Sequence, residues 1–285
     1  MNLIDLKEKY KLTSEKFQQI QEQIIDIYTR SITPTDTPTS IILGGQPGSG
    51  KGELITIAQK MIHDNLVICN ADDFRDFHPD SDEIKSLYEI DYPEITVTYS
   101  QSWNDGLRTY CESNRLSYVM ETTFTSRERM NDTIREIKGK RYNIILLLLA
   151  VNERFSVLGT YLRYEEMKFV SGYGRRVSKK IHDEKYKLVP ETLRVVQEAK
   201  LYDQLFIYGR KHVEENHLNA GIELIAANPV NPLLIYLEER DKSWSFHTKK
   251  YFTECCLKIA KMMNNRKDKF RKEEFLRNVG LTDKL

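Results

Sequence analysis

Apolar residues recur along this chain in short unbroken runs separated by longer mixed stretches. Ile41-Ile42-Leu43, Leu66-Val67-Ile68 and the almost continuous run from Ile144 to Val151 are the clearest. A run that is apolar at consecutive positions reads as a strand covered on both faces. The pattern predicts strands at 40–44, 66–70, 118–122, 142–151 and 204–208, with a short one at 222–226 that extends the sheet. Helical spacing fills the gaps, over 52–63, 98–114, 126–138, 155–168 and 178–199, the last carrying Pro190 near a break. Strands alternating with helices predict an α/β protein, a parallel sheet flanked by helices with right-handed crossovers. Two helical extensions frame it. In residues 1–37, Thr13-Ser14 caps a helix whose apolar face is Phe17, Ile20, Ile24, Ile27 and Tyr28, ended by Pro34 and Pro38. Residues 231–285 also read as helices, with Trp244, Phe246, Tyr251, Phe252, Leu257 and Ile259 as a packing face. The expected division is therefore 1–37, 38–230 and 231–285.

Composition adds little until charge is placed. The chain has 285 residues, 40% of them apolar and 30% charged, with a net charge of +1. That is a soluble globular composition with no global pull toward nucleic acid or an anionic surface. The charge is uneven, however. Residues 242–285 hold 12 Lys and Arg against 5 Asp and Glu. This basic tail keeps a nucleic-acid partner open as a weak alternative. The four cysteines, Cys69, Cys111, Cys255 and Cys256, show no metal-ligand spacing and fit a reducing cytoplasm. The N-terminus has no apolar signal core, and no apolar run approaches the roughly 20 residues that span a bilayer. A cytoplasmic location without a membrane partner is the expectation.

The chemistry begins after the first strand. Gly45-Gln46-Pro47-Gly48-Ser49-Gly50-Lys51 leads from an apolar strand through Gly52 and Glu53 into a helix, the context of a phosphate-binding loop. Glycines let backbone N–H groups turn toward phosphates, the helix N-terminus favours negative charge, and Lys51 reaches the terminal phosphates. A P-loop kinase-like sheet using ATP and Mg2+ follows. Gly52 stands where a Ser or Thr normally holds the metal, so Mg2+ is expected to be held through water or by acids elsewhere.

In such sheets ligands bind beyond the carboxyl ends of the strands. Asp72 and Asp73 follow the second strand; either is placed to orient an attacking hydroxyl or, alternatively, to cap a helix. Glu121 ends the third strand, where it meets Mg2+ or a substrate hydroxyl, or only water. Arg163, Arg175 and Arg176 follow the fourth strand, where arginines of a mobile lid neutralise a phosphoryl group in transfer. As an isolated pair, Arg175 and Arg176 would read as ordinary solvated side chains; their place after the fourth strand favours the lid. The histidines at 63, 182, 212, 217 and 247 have no metal spacing and read as surface or structural. Two other classes stay open: a kinase for a different hydroxyl, such as a nucleotide, nucleic-acid end or metabolite, and a nucleotide-binding module without turnover.

Taken in order, these segments resemble the zeta toxins, the kinase half of epsilon/zeta toxin–antitoxin pairs. The resemblance lies in Gly44 to Lys51, Asp72-x-Phe74-x3-His78-Pro79, Thr98-Tyr99-Ser100 and Glu121-x-Thr123. It continues through Leu158-Gly-Thr-x2-Arg163-Tyr-Glu165, Arg175-x3-Lys179-x2-His182-Asp183 and Leu188-x2-Glu191-Thr192-Leu193, covering roughly residues 40–210. It implies ATP-dependent phosphorylation of the sugar 3′-hydroxyl of a UDP-N-acetyl amino sugar, blocking cell-wall synthesis, as in UDP-N-acetylglucosamine kinases. It implies Asp72 as base, Lys51, Arg163 and Arg175 on the phosphates, and Phe74, His78, Tyr99, Asp105, Glu121 and Thr123 at the substrate. A small helical antitoxin is the implied partner. Asp105 falls where the family has Glu, and Thr125 where it has an arginine, with Arg127 close by. The basic tail lies outside these segments and is expected to be dispensable for acting on a small molecule.

Overall fold

The computed structural model describes residues 2–211 and 221–281; His212 and His217 lie outside the described residues. Helices α1 (Leu3–Lys9) and α2 (Ser14–Thr29) precede β1 (Thr39–Gly44) and α3 (Gly52–Met61). Next come β2 (Val67–Cys69), a 3-10 helix (Asp73–Phe77), α4 (Ser81–Leu87), α5 (Tyr92–Ser113) and β3 (Tyr118–Glu121). They are followed by α6 (Glu128–Gly139), β4 (Asn143–Ala150), α7 (Glu153–Ser171), α8 (Lys179–Ala199), β5 (Gln204–Arg210) and β6 (Ile222–Ala227). Helices α9 (Pro232–Asp241), α10 (Phe246–Asn265) and α11 (Lys269–Asn278) end the described chain.

The strands form one sheet in the order β2-β3-β1-β4-β5-β6. β2 pairs with β3, and β4 with β5, in parallel, while β6 adds to β5 antiparallel with an irregularity at Ile207/Tyr208. This is the α/β sheet flanked by helices that the periodicity predicts. All six residues of β1 are buried, as are Leu146 to Ala150 in β4. Side chains covered on both faces account for the unbroken apolar runs.

Contacts group the chain into two units, one of residues 1–41, 55–121 and 137–143, the other of 42–54, 122–136 and 144–285. In the first, Thr13 caps α2 by accepting from Lys16 N at 3.2 Å, and α2 packs on α5. Gly106 makes room there: a Cβ on it would stand 2.2 Å from Gln21 Oε1. Phe17 stacks on Trp103 with ring centroids 5.6 Å apart, and Trp103 Nε1 donates to the Phe17 carbonyl. α5 starts at Tyr92, six residues before the sequence reading, because Pro93 occupies the first turn, where no backbone donor is needed. The short helices α1 and α4 escaped the sequence reading.

In the second unit α8 runs unbroken through Pro190 instead of breaking near it. Burial of Val189, Thr192, Leu193 and Val196 on one face outweighs the hydrogen bond lost at proline. Residues 231–285 hold the helices expected, with Phe252 and Ile259 of the expected packing face buried and Phe246 and Leu257 exposed. Phe252, Cys256, Ile259, Met263, Phe275 and Val279 are all 2% exposed or less. α10 and α11 pack on α7, with Arg266 and Arg271 turned onto buried Glu165. The tail is part of this unit's core, a placement that argues against the expectation that it can be dispensed with. No helix among the described residues is long and apolar enough to cross a membrane.

Candidate active site

The loop leaving β1 is built from the second unit alone. Gly48 and Gly50 have φ of +73° and +91°, where a side chain would be strained. Space is a second constraint: a Cβ on Gly48 would lie 2.0 Å from the Ser156 carbonyl oxygen of α7. The loop curls around its own lysine. Lys51 Nζ donates to the carbonyl oxygens of Gly45 (2.8 Å) and Gln46 (3.3 Å) and is 8% exposed. Ser49 Oγ is buried there without a hydrogen-bond partner. A closed loop of glycines, an inward lysine and an unpartnered buried hydroxyl fit a phosphate group.

A hydrogen-bond chain fixes the loop from behind. Gln46 is fully buried, and its Nε2 donates to the Val151 carbonyl (2.8 Å) and Ser156 Oγ (3.1 Å). Ser156 Oγ lies 2.8 Å from His182 Nε2, and His182 Nδ1 lies 3.0 Å from Asp183 Oδ1. With Nδ1–H donating to the carboxylate, Nε2 accepts from the serine hydroxyl. Burial holds His182 below its ordinary value, so the neutral ring fits this direction. His182 is thus a structural support.

Arg210, at the end of β5, is a contact the sequence reading missed. Its Nε donates to the Ser49 carbonyl (3.0 Å) and its Nη1 to Glu53 Oε1 (2.7 Å). A Cβ on Gly50 would collide with its guanidinium. The one sequence signal was an arginine just past a predicted strand end. Gly52, by contrast, has open space: a Cβ there would meet nothing within 4 Å. Among the described residues no cluster of His, Cys, Asp and Glu could hold a metal ion.

The same unit carries the arginines. Arg163 is exposed on α7, and Arg175 and Arg176 lie in the segment joining α7 to α8. Thr123 Oγ1 lies 2.8 Å from Thr125 Oγ1. Arg127 is tied down, pairing with Glu191 at 2.7 Å while its N–H donates to Thr192 Oγ1 at 3.0 Å. That accounts for Leu188-x2-Glu191-Thr192-Leu193 as a clamp, with Leu193 fully buried.

The first unit holds the acidic segment. Asp72 sits at the N-terminus of the 3-10 helix but makes no side-chain capping bond. Its Oδ1 accepts from Arg75 Nε at 3.2 Å, and Arg75 also donates to Pro93 O and Thr96 Oγ1. The capping alternative for Asp72 therefore has no bond behind it. Loss of hydration, then the charges of Glu121 and Asp72, push the Asp73 carboxyl up to about 6. Asp105 is exposed on α5, 3.8 Å from Arg108.

Three residues of the substrate set serve the interior of this unit. Phe74 is fully buried and meets Tyr28 edge-on at 5.1 Å. His78 is 1% exposed; Nε2 donates to the Tyr10 carbonyl (3.0 Å) and Nδ1 accepts from Asp80 N (3.2 Å). Burial pushes its pKa down. The Tyr99 ring lies tilted against that of His78, centroids 5.5 Å apart, and its hydroxyl accepts from Leu12 N at 2.9 Å.

Against known proteins, the sequence model of the family described as Zeta toxin matches residues 21–221. "Toxin PezT" of Streptococcus pneumoniae is 29% identical over 70% of this chain and 79% of its own length. "Toxin zeta" of Streptococcus agalactiae is 28% identical over 78% of this chain and 76% of its own. In fold, a chain from the structure of the PezAT chromosomal toxin–antitoxin system of S. pneumoniae superposes with a TM-score of 0.77. It shares 23% identity, over 89% of this chain and 98% of that one.

Proposed function

The chain belongs to the zeta toxin family, and from that premise we propose that it is an ATP-dependent kinase. Its proposed acceptor is the sugar 3′-hydroxyl of a UDP-N-acetyl amino sugar, and its proposed effect is to block wall synthesis. The observation that carries the kinase reading is the closed loop, with Lys51 folded into it and Ser49 Oγ unpartnered. The loop's N–H groups and Lys51 bind the phosphates, and Arg210 holds the loop's shape from β5. Asp72 orients the acceptor hydroxyl and takes its proton as the new O–P bond forms and the bond to the leaving ADP breaks. Arg163 and Arg175 neutralise the charge that spreads over the phosphoryl oxygens. Mg2+ belongs with the nucleotide in this reading; Gly52 offers it no side chain. Phe74, His78 and Tyr99 act by holding the segment that carries Asp72, while Asp105, Glu121 and Thr123 are the acceptor-facing set.

The names of the relatives support a toxin paired with an antitoxin, and we assign this chain a proteinaceous antitoxin on that ground. The test is incubation with ATP and UDP-N-acetylglucosamine beside a panel of nucleotides, nucleic-acid ends and sugars, read by phosphorus NMR and mass spectrometry. Expected is a singly phosphorylated sugar nucleotide with equimolar ADP, lost about 100-fold in Asp72→Asn without loss of folding. A product on another acceptor would keep the kinase and remove the sugar nucleotide. A folded protein that binds ATP but transfers to nothing would leave only a binding module.

A further inference from the structure

The loop that carries Arg175 is held by the last described helix. Gly174 lies against Tyr164 of α7: a Cβ on it would stand 2.7 Å from the ring and 2.8 Å from the Tyr164 carbonyl oxygen. The same ring has the Arg271 guanidinium of α11 3.8 Å from its centroid. On the other side of Arg175 in sequence, Arg176 Nη2 donates to Glu274 Oε2 of α11 at 2.7 Å. α11 is itself locked to α7. Glu165, 1% exposed, accepts from Arg266 at 2.8 and 3.0 Å, with Arg271 Nε 3.6 Å away. Asn278 Nδ2 donates to Tyr161 Oη at 2.7 Å.

We infer that α11 is a positioning element for Arg175, acting through Arg271 on Tyr164 and through Glu274 on Arg176. This rests on the reading above in which Arg175 meets the transferred phosphoryl group. The segment between α7 and α8 has no regular structure of its own, so its order comes from what it touches. Gly174, next to Arg175, is buried, and the two contacts flank the arginine by one residue on each side. The Arg176–Glu274 pair is partly exposed and contributes little to global stability. Its effect is local: it limits where the backbone at residue 175 can go. Misplacing a catalytic group by about 1 Å costs up to about 100-fold in rate. Residues 266–278 lie beyond the stretch matched by the family model.

The test uses the full chain and five variants: Glu274→Ala, Arg271→Leu, Arg176→Glu, the charge swap R176E/E274R and Arg175→Ala. Tryptic cleavage after Arg175 is followed by mass spectrometry, and ADP release with UDP-N-acetylglucosamine gives kcat and KM. Glu274→Ala is expected to speed cleavage and lower kcat about tenfold. It should leave KM for ATP and the melting temperature nearly unchanged, and the charge swap should recover kcat relative to Arg176→Glu alone. Arg271→Leu should do the same as Glu274→Ala, with some loss of stability because Glu165 loses a partner. Unchanged cleavage in both variants would overturn the inference. So would faster cleavage with wild-type kcat while Arg175→Ala abolishes turnover. Full turnover in Arg175→Ala would instead refute the role given to Arg175; the protease result would still decide whether α11 orders the loop.

Discussion

The Gly48 carbonyl oxygen of the phosphate loop sits where a side chain at residue 159 would begin: a Cβ on Gly159 would lie 2.2 Å from it. The loop and α7 meet backbone to backbone, and Leu158-Gly-Thr is the sequence of that contact. Gly159→Ala should push the loop off the helix. Overpacking of this kind costs about 1–3 kcal/mol. We expect a lower melting temperature together with weaker ATP binding by titration calorimetry. Wild-type affinity in Gly159→Ala would show that the contact does not shape the loop.

Gly52 behaves in the opposite way. It opens α3, and a side chain there meets open space. Gly52→Ser should fold as well as the wild type or slightly better, since glycine in a helix costs roughly 0.5–1 kcal/mol relative to alanine. It supplies the hydroxyl that loops of this kind usually offer to Mg2+, so half-maximal turnover should need less Mg2+. An unchanged Mg2+ titration would mean that the metal is held away from this position.

Asp73 makes stability depend on pH in a defined direction. Its carboxyl is pushed up to about 6 from an ordinary 3.8. Between those values the folded chain binds more protons than the unfolded one, so this residue's contribution falls as pH rises through the window. Asp73→Asn should therefore raise the melting temperature at pH 7.5 and leave it nearly unchanged at pH 4. Asp73 is exposed, and solvent screening keeps the gain small. A gain confined to acid pH would contradict the assignment.

Truncation after residue 241 should not yield a folded protein. It removes Phe252, Cys256, Ile259, Met263 and Phe275 from the core, bares the face of α7 that α10 and α11 cover, and takes away both arginines that pair with Glu165. Far-UV circular dichroism and size exclusion of the fragment decide the matter. A monomeric, cooperative fragment would restore the view of the tail as an accessory.

What the sequence made legible was local. The phosphate loop is one contiguous code, and its strand, glycines and lysine can be read in a single window. The α/β alternation follows from β1 and β4 being covered on both faces. Arg210 was not legible, because its partner Ser49 is 161 positions away. Nor can a pattern separate a motif residue that packs from one that touches substrate. Phe74 and His78 stand in the same short motif as Asp72, yet their side chains are interior while that of Asp72 is partly open. The tail misled for a related reason. Its basic composition and its place outside the family-like segments suggested an accessory, but Arg266 and Arg271 balance one buried carboxylate inside the unit.

The supports of the phosphate loop come late in the chain. Gln46 waits for Val151 and Ser156, Ser49 for Arg210, and the segment bearing Arg175 for Glu274. At about 5–20 residues per second, a ribosome takes roughly 15–60 s to make 285 residues. Gln46 is made 105 and 110 residues ahead of the two partners that hold it, and Ser49 161 residues ahead of Arg210. A nascent chain therefore carries its phosphate loop for some time before the residues that brace it have been made.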